Sequence, residues 1–73
     1  MDFQFFYFLH YDFLYIDKDG KRYDGVDEIL LNATDLEMAV DAAQVLVGDL
    51  RKYNGLEIEN PTVIVRFVQA SLN

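Results

Sequence analysis

Acid–base chemistry in this chain would have to start from His10, its one histidine, and Asp12, two residues further on. In an extended strand residues two apart share a face, so the carboxylate would orient the imidazole as it does in acid–base sites. A nucleophile and an oxyanion-stabilising turn are missing beside them, since no glycine-rich strand-to-helix junction follows. The pair reads as polar punctuation of an aromatic strand. We expect no catalytic residue and no enzyme.

Asp17-Lys18-Asp19-Gly20 has Glu28 eleven residues beyond Asp17, matching three places of a calcium-binding loop. The fifth place, however, is Lys21, and the sixth is Arg22 where the sharp bend needs glycine. Two cations inside such a cage would repel calcium. The segment is therefore expected to be a plain hairpin turn, with Asp opening it and Gly20 supplying positive φ. There is no cysteine, which removes disulfides, thiol catalysis and thiolate metal sites together. No metal and no cofactor are expected.

Eight of the eleven aromatic residues (Phe3, Phe5, Phe6, Tyr7, Phe8, Tyr11, Phe13 and Tyr15) lie in the first sixteen positions. Rings so placed would stack on nucleic-acid bases if cations accompanied them. Six Lys and Arg against thirteen Asp and Glu give a net charge of −7, and Lys18, Lys21 and Arg22 are interleaved with Asp17, Asp19 and Asp24. Direct nucleic-acid binding and attraction to an anionic membrane are both disfavoured. The longest apolar run, Phe5 to Leu9, is far short of the ~20 residues of a spanning helix, and the N-terminus lacks a basic signal-peptide start. The expected location is cytoplasmic.

The elements that would position these residues are legible in order. Residues 3–16 form a strand without Gly or Pro, and after the turn a return strand runs from about Lys21 to Asn32. Its apolar positions are Val26, Ile29 and Leu31, with Gly25 marking a bulge or bend. Thr34-Asp35-Leu36-Glu37 fits a capping box with Thr34 as the cap. Leu36, Val40, Ala43, Val47 and Leu50 then give the core stripe of a helix, with Ala39 and Leu46 on its flank and Gly55 as its stop. Glu57 to Pro61 reads as a polar connection, and a third strand begins at Thr62. The fold class is α+β: a single ββαβ domain over residues 1–73, an antiparallel hairpin plus a third strand with one helix on one sheet face.

Seventy-three residues bury a small core, and association is the fastening left once disulfides and metals are removed. Two surfaces are candidates for it. Phe6 and Phe8 point away from Phe5 and Tyr7, onto the sheet face that one helix does not cover. Met38, Ala42 and Val45 form a second apolar side of the helix. The expected function is a non-enzymatic acidic protein–protein interaction module, a homodimer that binds a further protein partner through one of these surfaces. The alternative is an acidic row of Asp24, Asp27, Glu28, Asp35, Glu37 and Asp41 that imitates a nucleic-acid backbone. Phage-borne inhibitors of restriction or CRISPR systems occupy basic channels in that way, an analogy of size and charge alone.

Overall fold

A computed structural model describes residues 3–69. β1 spans Phe3–Ile16, β2 Arg22–Leu31, α1 Leu36–Tyr53 and β3 Glu57–Gln69, so the chain is ββαβ as its patterning predicts. The strands form one open antiparallel sheet in the order β2-β1-β3, with the aromatic strand at its centre. Two unpaired β1 edges would have been an aggregation hazard; here its backbone is consumed on both sides.

The β1–β2 hairpin is closed by Asp17. Its Oδ1 accepts from the backbone N–H groups of Asp19 and Lys21 at 2.9 and 2.8 Å, and its carbonyl accepts from Gly20, whose φ is +80°. Pairing then runs without a break from Ile16↔Arg22 to Tyr7↔Leu31. Gly25 makes no bulge. It sits opposite Phe13, and a Cβ there would stand 3.4 Å from the Phe13 ring, so the glycine makes room for an aromatic neighbour.

The sheet's irregularity lies in β3 instead. Strand pairing begins at Glu57, not Thr62, and passes through Asn60-Pro61, two residues set against Tyr11 alone. Asn60 takes a left-handed φ of 52°, which Asn tolerates better than most residues. Pro61 costs little because β3 is an edge strand and a bulge needs no ladder donor at that point. The early start matters, since it brings Ile58 into the core.

The α1 cap is Asp35, one residue beyond the expected Thr34. Asp35 has extended backbone angles, and its carboxylate accepts from the Met38 N–H at 2.8 Å. A carboxylate at the positive end of the helix dipole is held there more strongly than a hydroxyl. Thr34 instead turns its hydroxyl toward the Met38 sulfur. At the other end the Asn54 and Leu56 N–H groups both reach the Leu50 carbonyl, with Gly55 between them at φ +67°.

The core joins Leu9 and Tyr11 of β1, Leu31 of β2, Ile58 of β3 and Ala39, Ala43 and Val47 of α1. The helix is rotated by roughly 40° from its expected stripe, at 100° per residue. Leu36 and Val40 face solvent, while Ala42, Leu46 and Leu50 pack against the core. Sheet side chains explain the rotation: Leu9 and Tyr11 are large and fully buried, so the helix presents its small residues to them and approaches closely.

Candidate functional site

Strand alternation assigns every β1 residue a side. Tyr7, Leu9, Tyr11 and Phe13 face α1; Phe6, Phe8, His10, Asp12, Leu14 and Ile16 face away from it. The two-residue period expects Phe3 on the face of Phe5 and Tyr7 and Val68 on that of Ile64 and Arg66, but the side chains of Phe3 and Val68 lie outside the described ones. Directly paired residues share a face, so Phe8 is flanked by Leu30 of β2 and Ile64 of β3, and His10 by Glu28 and Thr62. Among the described residues, no element covers this second face.

Phe6 and Phe8 are only half-buried there, with Leu30, paired with Phe8, 58% exposed and Val26, further along the same face opposite Asp12, 60% exposed. An antiparallel sheet with one wet face normally alternates apolar inside with polar outside. Here both faces of the central strand carry aromatics.

The polar groups on this open face are ordered along it. Arg66 stands opposite Phe6 on β3, and its guanidinium lies over the Phe8 ring at 5.0 Å. From there it pairs through both nitrogens with the Glu28 carboxylate on β2, so the two edge strands are strapped together across Phe8. At the far end Asp12, Asp24 and Glu59 gather around a shallow depression lined also by Leu14, Arg22 and Val26, and Glu57 follows opposite Leu14 on the same face. Arg22 pairs with Asp24, and Asn60 donates to Asp12 at 3.0 Å. One end of the face is thus apolar and the other acidic.

His10 and Asp12 do share this face, as their spacing implies. Among the described residues no hydrogen bond joins them, and the Asp12 carboxylate is engaged by Asn60. The residues of the calcium-like spacing are also drawn apart: Asp17 is spent on the hairpin and Glu28 on Arg66. No group of three His, Asp or Glu side chains with ligand geometry occurs among the described residues.

The second candidate surface is divided. Met38 and Val45 are exposed on α1 at 47% and 65%, whereas Ala42 belongs to the core side. The six acidic candidates are likewise spread over opposite sides of the sheet. Asp24 and Glu28 lie on the open face, Asp35 and Glu37 begin α1, and Asp41 stands on its exposed side. Asp27 lies on the helix side, where it accepts from the Tyr11 hydroxyl at 3.2 Å. Burial, the Asp27 charge and that hydrogen bond together raise the Tyr11 pKa above its ordinary value.

Sequence reasoning missed Glu57 and Glu59 as members of the face. Their place depends on where β3 starts and on the bulge at Asn60-Pro61, which a Pro-containing polar stretch conceals. No helix among the described residues is long and apolar enough to cross a membrane. Compared with known protein families, curated proteins and solved structures, the chain matches none.

Proposed function

We propose that this chain is a non-enzymatic interaction module that associates with itself through the open sheet face and binds a further protein. The observation that carries this is surface left uncovered. A compact 8.5 kDa monomer exposes about 4,700 Å², whereas this chain exposes 5613 Å². Its radius of gyration is 15.0 Å, against about 11 Å for a compact domain of this length. The excess is of the order that one partner contributes to a standard protein interface, roughly 800 Å².

The open face is favoured over the second side of α1 because it is continuous. Phe6, Phe8, Leu30 and Ile64 adjoin one another through the strand register, whereas Met38 and Val45 stand among Glu37, Asp41 and Asp49 without Ala42. Rings that enter a desolvated centre inside a charged rim are the usual source of affinity. A cysteine-free composition accords with a reducing, cytoplasmic setting.

Sedimentation equilibrium at micromolar concentration tests the proposal, with a mass of twice 8.5 kDa expected. Phe8→Lys should return the chain to a folded monomer, and Val45→Lys should leave the dimer intact. A wild-type chain that stays monomeric throughout overturns self-association; a dimer lost through Val45→Lys alone moves it to the helix.

A second reading draws on the acidic end of the same face. Asp12, Asp24, Glu57 and Glu59 share one end of the face by strand register, an acidic row such as an inhibitor imitating a nucleic-acid backbone would present. Binding of a basic nucleic-acid-processing protein that is competed by DNA and lost on neutralising Glu57 and Glu59 would support it. Binding that DNA leaves untouched would not.

A further inference from the structure

We propose that two copies pack open face to open face about a two-fold axis over Phe8, with Arg66 of each copy taking Glu28 of the other. This rests on the self-association proposed above and specifies its geometry. A two-fold interface is self-complementary: each charge must meet its opposite at the position symmetry gives it. Arg66 is level with Phe6 on one edge strand and Glu28 is level with His10 on the other, so they stand diagonally about Phe8. Each is displaced two residues along the strand and one strand across, in opposite senses, about 6.6 Å and 4.8 Å respectively. An axis through Phe8, perpendicular to that diagonal, places each cation on the partner's anion and each anion on the partner's cation.

The exchange conserves ion pairs. Within one chain the Arg66–Glu28 bridge lies across Phe8 and holds a guanidinium against the ring. In the pair of chains the same number of bridges forms between copies, and the guanidiniums leave the rings. Phe8 then meets its own symmetry mate, and Phe6, Leu30 and Ile64 close around it. Burial of these apolar groups drives association, because bridges lost and gained cancel.

The same axis resolves the charge problem of a chain carrying −7. A two-fold axis running along β1 would lay the acidic ends, Asp12, Asp24, Glu57 and Glu59, on each other. The diagonal axis instead crosses the strands of the two sheets at roughly 70°, toward the orthogonal class of sheet packing. The acidic end of each copy then projects past the β3 edge of its partner's sheet, free for a further protein. Crossing this steep buries less area than a full overlay of the two faces.

A complementary-charge experiment reads the exchange directly. In Arg66→Glu both positions are acidic, and in Glu28→Arg both are basic; each variant alone should weaken its own dimer about a hundredfold. Mixed in equal amounts, the two should recover a dimer of one copy of each, seen by sedimentation and by native mass spectrometry. A circular-dichroism spectrum confirms folding of each, and the chain carrying both Arg66→Glu and Glu28→Arg should dimerise with itself as the wild type does. If both single variants keep the wild-type dimer, the interface lies elsewhere and the exchange is overturned while self-association stands. If both are monomeric and neither mixing nor the double swap restores a dimer, the exchange is overturned as well. A monomeric wild type refutes self-association itself.

Discussion

Leu36→Ala, Val45→Ala and Val47→Ala together decide how α1 sits on the sheet. Val47 is 8% exposed, and truncating it removes two carbons from the core at about 0.8 kcal/mol each, before any cavity term. That term is small, because Val47 borders an open groove lined by Gln44, Gly48, Arg51 and Pro61, into which neighbours and water can relax. Alanine's better helix propensity returns about 0.5 kcal/mol. The net cost should be about 1–2 kcal/mol, a fall in melting temperature of roughly 4–16 °C for a domain of this size.

Leu36 is 54% exposed and Val45 65% exposed. Truncating Leu36 should cost under about 1 kcal/mol, far less than the 2–5 kcal/mol of a buried leucine. Val45→Ala should be neutral or stabilise by a few tenths, since it gains propensity and loses little burial. Urea denaturation followed by far-ultraviolet circular dichroism, at one fixed protein concentration, ranks the three. If Leu36→Ala costs more than Val47→Ala, the helix is turned toward the apolar stripe of the sequence; if Val45→Ala does, the helix packs through its second apolar side, and in either case the Ala39–Ala43–Val47 contact line is wrong.

Asp35→Ala should cost about 1 kcal/mol by removing the acceptor of the Met38 N–H, while Thr34→Ala stays within about 0.5 kcal/mol; the same urea series reads both. Tyr11 has a folded-state pKa raised above its unfolded value near 10, so its protonated form is favoured by the native state. Its contribution is complete below the unfolded pKa and is lost as pH rises through that value toward the folded one. Wild-type stability should therefore fall more steeply above about pH 10 than that of Tyr11→Phe; parallel curves would reject the linkage. Thermal melts in calcium and in a chelator should coincide, since Asp17 is held by the hairpin and Glu28 by Arg66. A rise of several degrees in calcium would show that these carboxylates can be recruited.

The sequence was most legible where local chemistry and patterning agree. Asp17 and Gly20 announce a hairpin, and the period of β1 assigns Phe6 and Phe8 to the face opposite Tyr7. Three features were hidden, each for a physical reason. The helix stripe is set by what the sheet presents, and Tyr11 with Leu9 demands Ala39 beside the expected Ala43 where hydrophobicity favours Leu36 and Val40. The start of β3 is hidden because Pro61 reads as a breaker, although an edge bulge tolerates it. The Arg66–Glu28 strap joins residues 38 positions apart, and only the register of both edge strands brings them over Phe8.

The sheet's length ties stability to association. An 18-residue helix is about 27 Å long, while the 14 residues of β1 extend about 46 Å. Even laid along the strand, α1 leaves β1 uncovered at its ends, where Phe5 with Phe67 and Tyr15 with Tyr23 form exposed aromatic pairs on the helix side. On the other side the central strand carries Phe6 and Phe8 with no covering element among the described residues. A strand apolar on both faces belongs between two layers, and the chain supplies only part of one. Tyr11 and Leu9 anchor the covered side and give the chain its fold; Phe6, Phe8, Leu30 and Ile64 contribute only once a second surface arrives. Substitutions on the covered side should thus lower stability at every protein concentration, whereas those on the open face should act on its concentration dependence.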